Sequence, residues 1–388
     1  MSSLALPAAR PRSWVILGVA ALLLAALGLS VLIPQRVFEA AQATGGVEVP
    51  PPVIRFGGPG AYKQNQKMWG LLEVARTKGF LDKAFAGTGT RLQFIGFTTV
   101  PMVGEALASG EIDFAGQGEL IALLSRSAGT RTRVIMPVSR GENAYLVVPV
   151  GSPIHRVEDI RGKRIAFMRG AYIHIQTLRI LADHGLSEKD IVPVNLDPAS
   201  AATVMASGGI DGTFVGGQLA LPMRDRGVGR IAYSTRNEPR ETAQTGLIVS
   251  DAFARRYPGT TQKVVDAMVQ AARCAADPRH REELISLWVY GTDRSLANVK
   301  EDLGPGPLTA RTSPLIDPFV LSQYRNTQAF AQQAKLQRNP VDLGGWIDTT
   351  FLDRALRRQG LENFWPRFDP QGRPHGGAAQ FQSQDNDR

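Results

Sequence analysis

The chain has 388 residues, 43% of them hydrophobic and 20% charged, the balance of an ordinary globular protein, which excludes long disorder. Its formal charge is +9, but the basic residues are dispersed, without the clustered stripe that a nucleic-acid reader carries. A single cysteine, Cys274, excludes an intrachain disulfide framework and any Cys-based zinc site.

At the N-terminus, Arg10 and Arg12 precede Trp14–Ile33, a run of 20 uncharged residues long enough to cross the hydrocarbon core of a bilayer. Basic residues ahead of such a run predict a translocated remainder. Two readings stay open: a signal peptide over residues 1–43, with Ala41-Gln42-Ala43 as its cleavage site, or a retained membrane anchor through residues 14–33. Both put the globular part outside the cytoplasmic membrane. Residues 44–52, with Pro50-Pro51-Pro52, read as a stiff linker.

Strands then alternate with helices. Val53–Gly57 reads as a strand and Lys63–Lys78 as a helix with Met68, Leu71, Leu72 and Ala75 on one face. Arg91–Phe97 predicts a strand and Val100–Ala108 a helix, ended by Ala108-Ser109-Gly110-Glu111-Ile112-Asp113. Strand Phe114–Gly118, helix Leu120–Ser125 and strand Thr132–Val138 follow. Ala144–Val150, apolar throughout, is expected to cross into a second lobe. There, strand Arg164–Phe167, helix Ile173–Asp183, strand Ile191–Leu196 and helix Ala199–Ala206 precede a second copy of the phrase. It returns after 98 residues as Ala206-Ser207-Gly208-Gly209-Ile210-Asp211, before strand Thr213–Gly217, helix Gln218–Asp225 and strand Arg230–Ser234. Thr245–Ser250 reads as the crossing back, and helices over Thr261–Ala276 and near 279–290, 317–335 and 348–358 buttress the first lobe.

The echo of one helix-turn-strand unit predicts two matched α/β lobes, each with a helix-covered sheet. Lobe 1 is expected over 53–147 plus 248–366 and lobe 2 over 148–247, with a two-strand hinge around a cleft and a disordered tail over 367–388.

Catalytic signatures are missing: there is no Gly-x-Ser-x-Gly elbow, His-Glu-x-x-His helix or Walker loop, and the five histidines are scattered. No cofactor and no metal is expected. Helix starts offer a different chemistry, since free N–H groups and a partial positive charge suit a sulfonate, sulfate or carboxylate. The candidates are Gly60, Tyr62, Gln64 and Asn65 after the first strand, and Gln117, Gly118 and Glu119 after the first repeat strand. Gly170, Ala171, Tyr172 and His174 in the second lobe and Gln218 after the second repeat strand complete the set. Each has a plainer alternative: a tight turn at Gly57–Gly60, packing at Tyr172 and His174, a helix cap at Gln218. Arg140 and Arg169 read as solvated surface charges.

Several phrases carry a resemblance. They are Glu105-Ala-Leu-Ala-Ser-Gly-Glu-Ile-Asp-Phe114, Gly151-Ser-Pro-Ile-His-Arg-Val-Glu-Asp-Ile-Arg-Gly-Lys-Arg-Ile-Ala-Phe167, Leu178-Arg-Ile-Leu-Ala-Asp-His-Gly-Leu186 and Gly246-Leu-Ile-Val-Ser-Asp-Ala-Phe-Ala-Arg-Arg-Tyr-Pro258. Through them the chain resembles the periplasmic solute-binding proteins of ABC importers, in the aliphatic-sulfonate, taurine and nitrate group, collinearly over roughly residues 53–360. The resemblance implies a type II periplasmic-binding fold and a monomer in the periplasm, soluble or anchored to the inner membrane. It also implies a small anionic ligand delivered to an ABC permease and its ATPase, without chemical turnover. Three ligand-contacting motifs depart from the family pattern. Gly170-Ala171-Tyr172-Ile173-His174 stands where many members have Gly-Ser-Asn-x-His, Gly118-Glu119 where they have Gly-Asp, and Gly217-Gln218-Leu219 where they have Trp-Asp/Glu-Pro. These departures point to an altered pocket. Sulfinate desulfinases and pyrimidine synthases resemble the same scaffold, but a desulfinase needs a cysteine nucleophile between Gly58 and Asn65, where this chain has none. A membrane-tethered sensor is a third reading.

Overall fold

Each copy of the repeated phrase ends a helix, turns the chain and docks a strand. The computed structural model describes residues 48–59, 67–97, 99–292 and 294–375, within which α3 (Val100–Ser109) and α6 (Pro198–Ala206) carry the two copies. Gly110 and Gly208 take φ of 78° and 75°, the left-handed turn that a side chain would strain. Ile112 and Ile210 are then buried, and the aspartate that follows pairs with the first strand of its own sheet. The Asp113 carboxylate accepts from the Arg55 backbone N–H at 2.8 Å, while its own N–H donates to the Arg55 carbonyl at 2.9 Å. Asp211 repeats both bonds on Arg164, each at 2.8 Å. The echo is therefore structural: it registers one strand on another in both halves.

The first sheet contains β1 (Val53–Pro59), β2 (Arg91–Phe97), β3 (Phe114–Gly118), β4 (Thr132–Glu142) and β10 (Ala243–Ser250). The second contains β5 (Ala144–Val148), β6 (Arg164–Phe167), β7 (Val192–Asn195), β8 (Gly212–Gly216) and β9 (Arg230–Ser234). Their orders, β2-β1-β3-β10-β4 and β7-β6-β8-β5-β9, are the same pattern: a parallel trio joined to an antiparallel pair. The crossings fall elsewhere than the sequence predicts. Ala144–Val148 and Ala243–Ser250 are not connecting straps but inner strands, which is why they are buried on both faces. The chain passes between the sheets at Asn143 and returns over residues 235–242.

Lobe 1 packs both faces of its sheet. On one face Phe56 stacks on Phe94 and Phe114, each at 5.2 Å, under α1 (Gly70–Thr77), α2 (Phe80–Phe85) and the helices that follow β10. Of those, α8 is Asp251–Arg256, and α9 (Pro258–Ala276) buries Val264, Val265, Met268, Val269 and Ala272 as its periodicity predicts. Each of the buried valines and Met268 contributes about 1.5–3 kcal/mol. The other face carries α3 and α4 (Glu119–Ser127). It also receives Ile175 and Leu178 from α5 (Tyr172–Asp183), a helix of the second lobe. Residues Ile173 to Leu181 of α5 are all buried, the mark of a helix enclosed on every side.

Beyond α7 (Gly217–Asp225) and α10 (Arg281–Val289), a helix absent from the sequence reading, α11 (Leu296–Leu303), lies against α7. Its Ser295 hydroxyl caps it, accepting from the Asn298 N–H at 3.4 Å. Then come α12 (Pro318–Gln333), α13 (Leu343–Trp346) and α14 (Thr350–Gln359). Residues 367–375, expected as part of a disordered tail, include a small hairpin in which Arg367–Phe368 pairs with Pro374–His375, closed by the Asp369 carboxylate. Trp14–Ile33 lies outside the described residues, among which no helix is long and apolar enough to cross a membrane.

Candidate functional site

A cleft of about 180 Å³ opens between the two sheets, walled by Gly57, Met68, Trp69, Gln117, Gly118 and Glu142 of lobe 1 and by Tyr172 and Gln218 of lobe 2. Its geometry follows from the strand order. In both lobes the parallel strands end at the cleft and hand over to a helix, so helix starts gather there. Four helices bring a first-turn or capping residue to this wall: α1 with Trp69, α4 with Gly118, α5 with Tyr172 and α7 with Gln218. None of the four has a side-chain cap, whereas Asp197, Ser250, Ser295 and Asp317 cap α6, α8, α11 and α12. An uncapped start is not diagnostic alone, since α2, α3 and α9 also lack one. Convergence on one cleft is what sets these four apart, since free N–H groups and a partial positive charge then point into the same space.

The side chains around them are set by specific bonds. Trp69 Nε1 donates to Glu142 Oε1 at 3.0 Å, and Ser139 Oγ donates to the same oxygen at 2.5 Å. The Arg294 guanidinium lies 4.2 Å from the Trp69 ring centroid, and Trp288 sits behind at 6.2 Å. Tyr172 accepts from Gln218 Nε2 at 2.9 Å, and burial pushes its phenol up to about 12. Gln117 Nε2 is buried without a partner among the described residues. Lys67 is buried too, donating to the carbonyls of Leu287 and Tyr290, and desolvation lowers its pKa. Gly70 follows Trp69 at φ 58°, where a Cβ would stand 2.3 Å from the Val138 carbonyl oxygen, so only glycine lets α1 approach β4 this closely.

Of the residues expected to bind, Gln117, Gly118, Tyr172 and Gln218 line this cleft. Gly60, Tyr62, Gln64 and Asn65 lie outside the described residues. Glu119 turns away from the cleft: fully buried, it pairs with Arg179 at 2.7 Å. Gly170 and Ala171 form the turn before α5, where the Gly170 N–H donates to His174 Nδ1 at 3.1 Å. His174 is buried against Phe167, so its ring holds that turn rather than bordering the cleft. Arg169 pairs with Glu188 away from the cleft. Arg140, read as a surface charge, is instead buried and paired with Asp317 at 2.9 Å. Sequence reasoning missed Trp69, Glu142 and Arg294. Among the described residues no group of His, Cys, Asp or Glu is placed to hold a metal ion.

Burial holds the His174 imidazole down at about 4, with the Arg169 charge adding to the effect. The unfolded chain binds that proton near pH 6.5 and the folded chain near 4. Between them the unfolded state carries more protons, so stability rises with pH, by up to about 3 kcal/mol from this group. His174→Asn is expected to flatten the climb in unfolding temperature between pH 4 and pH 6.5. Parallel wild-type and variant profiles would reject the assignment.

Two interlobe ties flank the cleft. On one side Arg179 of α5 donates to Glu119, to the Thr242 and Gln323 carbonyls, to Thr327 Oγ1 and to Asn326 Oδ1, at 2.6–3.1 Å. On the other side α11 reaches the second lobe. Glu301 accepts from Arg224 at 2.5 and 2.8 Å and from Arg236 at 2.9 Å, and Asp302 Oδ1 accepts from Tyr145 at 2.6 Å.

The sequence model of the NMT1/THI5-like family matches residues 69–280. An Escherichia coli (strain K12) protein described as an aliphatic sulfonates-binding protein is 30% identical over 141 residues, which are 36% of this chain and 43% of that protein. The 2′-hydroxybiphenyl-2-sulfinate desulfinase of Rhodococcus erythropolis is 29% identical over 165 residues, 40% of this chain and 42% of the enzyme. Each match thus spans under half of the relative's length. Among solved structures, a periplasmic sulfonate-binding protein of Methylobacillus flagellatus superposes with a TM-score of 0.74 at 25% identity, covering 83% of this chain and 99% of that one. The two α/β lobes match the periplasmic-binding-protein fold.

Proposed function

The chain belongs to the NMT1/THI5-like family, and from that premise we propose that it is the solute-binding component of an ABC importer. It captures a small organic anion of the sulfonate, sulfate-ester or carboxylate class in the interlobe cleft, in the periplasm, and hands it to a permease and its ATPase. The carrying observation is the convergence of four uncapped helix starts from both lobes on one cleft, beside the unpartnered Gln117 amide. N–H groups from the two lobes grip the anionic head, Arg294 adds charge, and Trp69 and Tyr172 cover the ligand's body. Glu142 sits in the same wall and repels a second negative charge, which favours a singly charged head over an inorganic dianion. A ligand held by both lobes stabilises the closed arrangement and, by mass action, the fold.

The test is a thermal-shift and calorimetric screen of the full chain against alkanesulfonates, arylsulfonates, sulfate esters and carboxylates. At least one class is expected to bind with saturable heat and raise the unfolding temperature. A flat response across all four classes would sink the proposal.

The desulfinase relative motivates a second reading, an enzyme on this scaffold. Against it, the segment 58–66 holds no cysteine, and Cys274 lies in α9 away from the cleft, its thiol pushed up by burial and so a poor nucleophile. Sulfite release from an arylsulfinate would revive the enzyme. N-terminal sequencing of exported protein separates a cleaved signal from an anchor, and an anchor would favour the sensor reading.

A further inference from the structure

A second cavity, of about 330 Å³, lies where the two interlobe crossings run together. Gly141 at the end of β4, Asn143 of the first crossing and Arg236 and Thr242 of the second line it, together with Phe319 and Phe368. Its chemistry is cationic and aromatic. Arg140, 4% exposed, places both bonds of Nη2 on Asp317, at 2.9 and 3.2 Å. The Asp317 carboxylate is further occupied by the Val320 and Phe368 N–H groups, at 3.0 and 3.2 Å. Arg140 Nη1, by contrast, is buried with no partner among the described residues. A buried guanidinium donor left unpaired is unfavourable, and an anionic occupant relieves it. Arg311, also in the wall, donates to the carbonyls of Gly141 at 2.6 Å and Asp302 at 3.4 Å, so its bonds here are to neutral oxygens. The Phe319 and Phe368 rings lie 5.9 and 5.3 Å from the Arg140 guanidinium carbon, offering an apolar surface beside the charge.

We propose that this cavity is a second ligand site, which takes a small aromatic carboxylate or sulfonate, its anion on Arg140 Nη1 and Arg311 and its ring against Phe319 and Phe368. The inference stands independently of the cleft's function. Because both crossings contribute to its wall, an occupant favours one disposition of the lobes over others, and its binding is coupled to the cleft's with equal strength in both directions.

Arg140 and Arg311 also belong to the wall on the cleft side, so the test relies on residues that face this cavity alone. Benzoate and benzenesulfonate are titrated into the full chain by calorimetry, with Phe368→Ala and Phe319→Ala altering this cavity and Trp69→Ala altering the cleft. A binding event that survives Trp69→Ala and weakens by about tenfold or more in Phe368→Ala is expected, with Phe319→Ala weakening it too should Phe368→Ala fail to fold. Either no binding of both probes, or binding abolished by Trp69→Ala and untouched by the other two, would overturn it.

Discussion

Arg179→Met is expected to destabilise the protein by about 3–5 kcal/mol, because it strands the fully buried Glu119 carboxylate without its cation. Arg179 makes five bonds from one end of α5, reaching α4, the return crossing and α12, and both it and Glu119 are buried. The prediction separates charge from shape. Pairing Arg179→Met with Glu119→Gln removes the stranded charge and is expected to recover a substantial part of the loss. Chemical denaturation of the four species measures the coupling. Additive losses would mean that the pair contributes packing alone.

Replacement of Trp69 by alanine is expected to weaken ligand binding by about a hundredfold, near 3 kcal/mol, measured calorimetrically with the tightest sulfonate from the screen. Three contributions vanish together: an aromatic wall, the platform under Arg294 and the donor that occupies Glu142. Freed of that donor, the Glu142 carboxylate turns its charge on an incoming anion. Trp69→Phe keeps an aromatic ring, though a smaller one, and loses the indole donor, so its deficit is expected to be smaller, about tenfold. Equal affinity in all three proteins would move the binding site out of this cleft.

The fold was legible because its signals are local. Gly110 and Gly208 mark turns by their own conformational need, and the one-faced periodicity of α9 states which side is buried. The crossings are misread because β5 and the Leu247–Val249 part of β10 are unbroken apolar runs, and periodicity cannot tell an inner strand from a strap. At the site, Gln117, Gly118, Tyr172 and Gln218 follow strand ends and could be found by that rule. Glu119 could not be excluded, since its partner lies 60 residues away on another lobe. Trp69, Glu142 and Arg294 come from three distant segments and meet only in the folded chain. A local trace of α11 existed in the Ser295 cap, but nothing nearby announced that Glu301 would meet Arg224 and Arg236.

The placement of β10 between β3 and β4 imposes an order on biogenesis. The second sheet is written in one uninterrupted passage, Ala144 to Ser234, and has every strand it needs once that passage exists. The first sheet stays split, with β4 lacking the neighbour that joins it to β3, until residues 243–250 arrive. An exported chain emerging from its N-terminus is thus expected to mature from its middle outward. Pulse-labelled hydrogen exchange should then show the amides of β6 and β8 protected before those of β3 and β4. Simultaneous protection of all four would contradict that sequence of events.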